Sequence, residues 1–404
     1  MSITNALNNA VSGLSAASRR AETVSSNTAN ALTDGYARRE VSLSSSPFGG
    51  VRVNGVARQV SEALVKENRL AEAAAANAST RTEFHSRLEK MIGTADKAGS
   101  LGYALSGFDA ALITASASPE NTIALNSAVS AAKSVSEKLN AISDDLQKTR
   151  QDADQSIASQ VDQLNEALSR VGDLNKSITR TISTGGDANA LQDQRQILID
   201  EIATIVPVQT VSRDGNQVAI YTTGGLALLD RTAAKVGFSA VGTITPDMTL
   251  QSGALSGLTV NGLMVSTQDN DMMGGGTLGA TFAIRDELAP TAQADVDALA
   301  RNLIERFEGS AVDQSVAAGD AGLFTDNGKV SDPAKEVGTR WTHTYQCGRR
   351  SEYGWPRVAA ARRNWSSNRG NGRERNPSQC LQKCIECRYR SCDRTLRLHA
   401  CWSR

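Results

Sequence analysis

The chain has 404 residues, 40% of them apolar and only 4% aromatic, with 43 basic and 43 acidic side chains. Its charge is unevenly divided: residues 340–404 hold 14 Arg, one Lys and four acidic residues, a net of +11, so residues 1–339 carry −11. No run approaches the roughly 18 apolar residues of a membrane helix, and no cleavable signal is expected in the first 30 residues. All six Cys lie beyond residue 340, so the rest of the chain suits any redox compartment.

The first predicted element is a helix that carries a coiled-coil seam. Apolar residues alternate at intervals of four and three, a spacing typical of a coiled coil rather than of the wider stripe of a helix on a globular core. We expect residues 1–39 to form an axial helix and turn, and the helix to need a partner. Its assembly face consists of Ile3, Leu7, Ala10, Leu14, Ala17, Ala21 and Val24, and the spacing continues to Thr28.

Turn-forming residues interrupt this helix at Thr33, Asp34 and Gly35. The polar segment that follows, rich in Gly and containing one Pro, predicts a connector over residues 40–60 with short strands near its end. Residues 61–91 return to helix formers and predict a second helix.

The longest regular segment follows Pro119. Apolar residues keep heptad spacing from Leu125 to Leu146, the phase slips near Ala153, and the spacing resumes from Ile157 to Ile182. At 1.5 Å per residue this predicts a rod of about 80 Å, or two helices folded back at the slip. A further helix follows over LQDQRQILIDEIATIV. We therefore expect residues 61–205 to be a helical bundle.

From residue 206 the pattern changes from helical to alternating. Asp214 and Gly215 stand between two β-prone runs, which predicts a hairpin, and short strand-like pieces continue. We expect a small β domain over 206–270, a return to the helical domain over 271–312 and a connector over 313–338. The expected fold is mainly α with a β insertion.

Two motifs outside this pattern give weak signals for chemistry. Gly274, Gly276 and Gly279 satisfy G-x-G-x-x-G, but DNDMM precedes them instead of the buried strand that a dinucleotide site requires. The loop interpretation is therefore preferred. His85 is the sole His of residues 1–339 and lies among charged helix residues, so no His-based triad or metal cluster is predicted there.

A polar cluster in the DQRQ segment is the remaining candidate for catalysis. Asp193, Gln194 and Arg195 are adjacent on a predicted helix, but a catalytic interpretation needs a pocket and a second carboxylate, and the sequence identifies neither. Salt bridges between packed helices are the simpler interpretation. We expect no catalytic residue, no metal and no cofactor, and so no enzyme.

Residues 339–404 permit two interpretations. Four Cys, among them the pair Cys384 and Cys387, resemble loose zinc-ligand spacing, and Arg with interleaved Trp and Tyr suits nucleic acid. Surplus Arg, Cys and Trp with almost no Lys is also what a G+C-rich gene yields in a wrong frame, and codons for WTHTYQCG permit GRIHINA one base forward. We favour a frameshift near 336–339 and expect a disordered, out-of-frame tail.

The N-terminal segment resembles the start shared by the axial proteins of the bacterial flagellum. That pattern has Ser-Gly-Leu in the helix, then Ser-x-Asn-x-Ala-Asn, a Thr, and Gly-Tyr followed by Arg. Thr28 stands where Ile is usual. The residues that match are Ser12, Gly13, Leu14, Ser25, Asn27, Ala29, Asn30, Thr33, Gly35, Tyr36 and Arg38.

Two later segments resemble one family among them, the hook-filament junction proteins of the flagellar hook-associated protein 1 (FlgK) type. ALQDQRQILIDEIATIV, with Asp193 and Arg195, resembles the NDLLDQRD-type segment of that family. GGGTLGATFAIRDELAP, with Arg285 and Asp286, resembles its GG-x-LGA and RD pattern.

The resemblance implies a structural subunit that is exported by the flagellar type III system with the help of a chaperone and works outside the cell at the hook-filament junction. It implies a ring of copies of the chain, with the hook protein and the second hook-associated protein as partners. It implies no nucleic acid, membrane or small-molecule substrate.

One departure from the family bears on assembly. The family pairs its N-terminal helix with a C-terminal one, and residues 340–404 show no heptad. We therefore expect an assembly-defective subunit whose residues 3–32 are helical but undocked. Two alternatives stay open: another axial protein, flagellin or the second junction protein, and a helical scaffold whose Arg- and Cys-rich tail binds zinc or nucleic acid.

Overall fold

The computed structural model describes residues 3–47, 49–308 and 322–326, and the backbone alone of residues 345–347. The predicted tail, its zinc or nucleic-acid motifs and the frameshift position lie outside the described residues, the three residues at 345–347 excepted. The described chain is mainly α-helical with small antiparallel sheets, as predicted. The described residues fall into two compact units, those within 1–86 and 146–291 and those within 87–145 and 292–404.

The first unit begins with helix α1 (Ile3–Ala29) and a hairpin of β1 (Arg39–Ser45) and β2 (Val51–Arg58). The two strands pair antiparallel with a bulge at Ser42 and Leu43. The hydroxyl of Ser12 accepts the Val51 N–H at 3.1 Å and so ties the helix to the second strand. Helix and hairpin therefore form one packed module.

Three helices build most of the helical part: α2 (Glu62–Ile92), α4 (Thr122–Ser183) and α5 (Asn189–Ile205), with α3 (Leu101–Ala117) described below. Helix α4 is continuous over 62 residues, so the predicted slip in heptad phase does not fold it back. Its buried residues, among them Ile157 and Leu164, form one core with Ile202 of α5.

Two antiparallel sheets cover this core. The predicted hairpin is present, and its turn at Asp214–Asn216 places Gly215 and Asn216 at φ of 69° and 60°. The first sheet has the order β3-β4-β5-β6, from β3 (Val208–Arg213), β4 (Gln217–Thr222), β5 (Ala227–Asp230) and β6 (Thr232–Ala233). The second has the order β7-β8-β9, from β7 (Val236–Gly237), β8 (Leu258–Val260) and β9 (Leu263–Val265).

The chain returns to helix at α6 (Gly276–Ala283), continues through a π-helical turn (Ile284–Leu288) and goes on as α7 (Ala289–Glu308). The G-x-G-x-x-G loop precedes and opens α6 in a tightly packed position. Gly276 has φ +60°, and a Cβ there would lie 2.2 Å from the Ile205 carbonyl oxygen. Glycine is needed here for close backbone packing.

The second unit contains helix α3 (Leu101–Ala117), a segment to which the sequence pattern assigned no element of its own. Ser100 caps it, because its Oγ accepts the Tyr103 N–H at 3.0 Å. Phe108, Phe307 and Phe324 form an aromatic cluster with ring centroids 5.4 to 5.7 Å apart. The strands β10 (Phe324–Asp326) and β11 (Tyr345–Cys347) pair antiparallel.

Candidate functional site: the turn after the first helix and its anchor on helix α5

The predicted assembly face of α1 is exposed along its length, with Ile3 88% and Leu14 73% exposed. The opposite face packs on the hairpin, where Ala16 and Thr23 are buried. The helix therefore packs on the hairpin through a face that the sequence did not single out, while its seam stays exposed. Whether the seam lacks a C-terminal partner helix stays a prediction, because residues 340–404 lie outside the described side chains. The remaining exposed seam residues are Leu7, Ala10, Ala17, Ala21 and Val24.

Asn27 joins the end of α1 to the start of β1. Its amide nitrogen donates to the Arg39 carbonyl oxygen at 2.9 Å, and its Oδ1 accepts the Arg39 N–H at 2.9 Å. The same Oδ1 accepts the Tyr36 hydroxyl at 2.9 Å. The Asn27 side chain thus makes the two hydrogen bonds that the N–H and carbonyl oxygen of Arg39 would otherwise make to a neighbouring strand. In this way Asn27 fixes where β1 begins.

The other predicted turn residues hold the chain between helix and hairpin. Asn30 closes the helix, because its side-chain nitrogen donates to a helix carbonyl oxygen at 2.9 Å. The Thr33 carbonyl oxygen accepts the Tyr36 N–H at 3.2 Å, which tightens the turn. Arg38 differs from these, since its side chain is 72% exposed and lies 3.7 Å from Glu40, a weak pair.

The turn lies directly on α5. Gly35 has φ +73°, and a Cβ there would stand 2.3 Å from the side chain of Ile197. Two residues further on, the Ala37 N–H donates to Oδ1 of Asp193 at 3.3 Å. A residue larger than glycine at position 35 would separate the turn from the helix that anchors it.

Asp193 connects the hairpin to α5. Its two carboxylate oxygens accept Nε of Arg58 at 2.8 Å and a guanidinium nitrogen of Arg39 at 3.0 Å. All three side chains are largely buried, with exposed fractions of 11%, 13% and 21% for Asp193, Arg58 and Arg39. Its partners are therefore the ends of the hairpin, and the predicted pairing between helices is not how Asp193 is used.

Arg195 points to the opposite side of α5. Its guanidinium donates to Oδ1 of Asn175 at 2.8 Å and to the Asn216 carbonyl oxygen at 2.7 Å. Burial, with a smaller contribution from the nearby positive charge of Arg58, lowers the pKa of Arg195 to about 10. Arg195 thus stays protonated at neutral pH and ties the β3–β4 turn to α4.

Arg285 and Asp286, the second predicted motif, lie in the π-helical turn. Arg285 is fully buried and donates to Asp154 of α4 at 2.7 Å and to Asp286 at 2.8 Å. Burial alone would lower the pKa of Arg285, but its bonds to Asp286 and Asp154 outweigh that effect and raise it. Asp154 also accepts the Val241 N–H at 2.7 Å, so this pair reaches the long loop before β8.

Arg150 holds the same loop one turn earlier on α4. Its guanidinium donates to the Pro246 and Met248 carbonyl oxygens at 3.4 and 2.7 Å. Gln151 beside it accepts the Ile244 N–H at 2.6 Å. Burial lowers the pKa of Arg150. The loop between β7 and β8 is thus attached to α4 by side chains that bind its backbone.

Sequence reasoning missed Arg39 and Arg58, although a signal for them was present. They face each other in the hairpin register, and two like charges directly opposite are unfavourable without an anion between them. It also missed Arg150 and Asp154, which lie on either side of the phase slip near Ala153. Charged residues at or next to the core positions of a heptad repeat indicate that buried polar or ionic contacts are made at that point.

What this arrangement does chemically is to fix elements to one another. Apart from the exposed pair of Arg38 and Glu40, and from Asp286, which pairs with Arg285 of its own turn, the carboxylates and guanidinium groups described above bind a neighbouring element. In the part of the chain that the structure describes, no group of three or more His, Cys, Asp or Glu has the geometry to hold a metal ion. Within the same residues, no helix is both long and apolar enough to cross a membrane.

Comparison with known protein families gives two matches. The model of the flagellar hook-associated protein FlgK helical domain matches residues 85–322, which is more than half of the chain. The model of the flagella basal body rod protein matches residues 7–36, the segment of the seam and the turn.

Curated relatives carry the description flagellar hook-associated protein 1. The chain is 29% identical to that of Salmonella typhimurium over 240 residues, 57% of this chain and 43% of the relative. It is 27% identical to that of Escherichia coli, with 57% and 44% covered, and 26% identical to that of Bacillus subtilis, with 55% and 48% covered. The chain thus spans less than half the length of these relatives.

A solved structure, the flagellar hook junction protein FlgK from Burkholderia pseudomallei, is similar in fold. The match has a TM-score of 0.50 at 18% identity and covers 66% of this chain and 47% of the other.

Proposed function

We infer the role of the chain from one premise: it belongs to the FlgK family of flagellar hook-associated proteins, whose helical-domain model matches residues 85–322. We propose that it is a non-enzymatic structural subunit of the flagellum at the hook-filament junction, outside the cell. The observation that carries the proposal is the anchor at Asp193. It joins the exposed N-terminal seam and its turn to the helical domain through buried ion pairs.

A junction subunit must pass mechanical load from its axial helix to its outer part. In this chain the path is short: α1 packs on the hairpin, Asn27 fixes the turn, and Asp193 holds both ends of the hairpin on α5. Bonds to charged groups are stronger than neutral ones, about 1.5–3 kcal/mol each. The anchor therefore suits a connection between the N-terminal module and α5 that has to stay rigid under load.

The partners follow from the exposed surfaces and from the family. The seam from Ile3 to Val24 is an apolar strip in water, and we propose that it packs in an axial tube of helices shared with other copies, with the hook protein and the second hook-associated protein next to the ring. Export by the flagellar type III system with a chaperone is part of the same proposal.

We also propose that assembly of this chain is impaired. The helix that should complete the seam has no counterpart in the composition of residues 339–404, where Arg, Gly and Pro replace a heptad. A tail of this composition would leave the apolar residues of the seam without that burial, about 25 cal/mol for each Å².

The experiment is to express an epitope-tagged chain in a strain that lacks its own hook-associated protein 1, next to a version with the reading frame restored from codon 338. We expect the restored version at the hook tips by immunogold labelling and the original chain to be depleted there. Equal labelling of both would contradict the defect. Absence of both from hook tips, with normal export, would contradict the junction role.

A further inference from the structure

A groove runs beside the turn, between it, the first turns of α2 and the middle of α5. It consists of two adjoining cavities of about 320 and 580 Å³ that share Leu64, Val65 and Gln196. Val60 and Leu64 give it an apolar wall, and Leu64 is 66% exposed. The exposed guanidinium of Arg38 lies at its rim. The larger cavity is lined by Glu67 and Asp200, so the basic rim belongs to the smaller one. That part of the groove suits an apolar side chain with a carboxylate next to it.

The tip of the same turn has the complementary chemistry. Leu32 is 98% exposed, the most exposed large apolar side chain of the described residues, and Asp34 two residues later is exposed as well. The Thr33 N–H donates to the Asn30 carbonyl oxygen at 3.0 Å, so the turn holds Leu32 outward. Asp34 has no ion pair within the described residues, although Arg38 is four residues away.

We propose that the groove binds the tip Leu32–Asp34 of a second copy of this chain. Leu32 packs against Val60 and Leu64, and the carboxylate of Asp34 pairs with Arg38, whose contact with Glu40 is long and exposed. The occupant is a second copy because the same turn presents both an acidic, apolar tip and a basic-rimmed, apolar groove. The tip cannot fill its own groove, since Leu32 is almost fully in water.

Such a contact is head-to-tail. Each copy offers one tip and one groove, so the contact repeats from copy to copy and closes into a ring or continues as a helix. The inference rests on the proposed function, because it specifies how neighbouring subunits of a junction ring touch. It differs from the seam, which lies on another part of the module and packs helix on helix.

The test is disulfide crosslinking in the full chain with the tail cysteines changed to Ser. A variant with Leu32→Cys and Leu64→Cys should give a ladder of dimers, trimers and larger species on oxidation at high concentration, because the contact is head-to-tail. Either single variant should give dimers at most. The matched control combines Leu32→Cys with Ile123→Cys, a residue that is 79% exposed, and should give no ladder above the single variants.

Charge reversal tests the second half of the contact. Asp34→Arg should reduce crosslinking by about two- to fivefold, the size of an exposed ion pair, and Asp34→Arg with Arg38→Asp should restore it. Absence of the ladder, a ladder equal to that of the Ile123 control, or indifference to charge reversal overturns the proposal. A chain that reaches hook tips without forming the ladder keeps its proposed role and loses this contact. A frame-restored chain that forms the ladder and is exported but never reaches the hook keeps the contact and loses the role.

Discussion

Replacing Asp193 with Asn should loosen the hairpin from α5. The carboxylate accepts three donors, from Ala37, Arg39 and Arg58, and an amide has one oxygen and adds a donor that faces a guanidinium. At least one bond to a charged group is lost, about 1.5–3 kcal/mol. Two largely buried guanidinium groups also lose their counter-charge, for which about 3–5 kcal/mol is the upper limit. We therefore expect the opening free energy of this contact to fall by about 2–4 kcal/mol.

Hydrogen exchange measures this contact directly, because the Ala37 and Arg39 amides donate to Asp193 and Asn27. A loss of 2–4 kcal/mol corresponds to exchange that is about 30- to 800-fold faster in peptides that cover the hairpin. The matched control is Asp173→Asn, whose carboxylate is 72% exposed and pairs only with Lys176 on its own helix. In the Asp173→Asn variant, exchange of the hairpin peptides should change by less than about threefold. Equal exchange of the hairpin in both variants would refute the anchor.

Three further predictions concern the fold. Asp154→Asn should cost about 2–4 kcal/mol in urea unfolding followed by circular dichroism, because the fully buried Arg285 loses one of its two carboxylate partners and keeps Asp286. A loss below about 1 kcal/mol would contradict this. Gly276→Ala should lower the melting temperature, since a Cβ there meets backbone, whereas Gly13→Ala, in open space within α1, should raise helix content; the reverse order would show that packing at Gly276 is not decisive. The hydroxyl of Tyr221 and the guanidinium of Arg213 lower the pKa of Asp230 from 3.8, so its stabilisation exists above that pH and is lost as pH falls through the folded pKa. Asp230→Asn should thus destabilise the sheet more at pH 7 than at an acidic pH below the folded pKa, and an equal effect at both would show that its charge is not involved.

The helices and the first hairpin of the β region were predictable because their signals are local. A heptad such as that of α4, or Asp-Gly between β-prone runs, can be recognised within a short stretch of sequence. Helix α3 was missed because its Gly, Ser and Thr give no clear period, and only the Ser100 cap and the packing of Phe108 show why it forms.

Individual residues of the site could be singled out from the sequence, but the contacts between them could not. Tyr36, Asn27 and Asp193 were each singled out by resemblance to a family, yet Ala37 and Asp193 are 156 residues apart in sequence. No period or spacing relates such positions, since their contact depends on how α5 packs under the turn. The opposed arginines of the hairpin were the one physical signal that an anion belongs between them.

Complementation of motility tests the central claim most directly. A strain without its own hook-associated protein 1 receives either the chain as it stands or the same gene with the frame restored near codon 338. If the chain is a structural junction subunit with an impaired tail, we expect swimming with the restored gene and none with the original. Swimming with the original chain, or none with a restored chain that is expressed and exported, would contradict it.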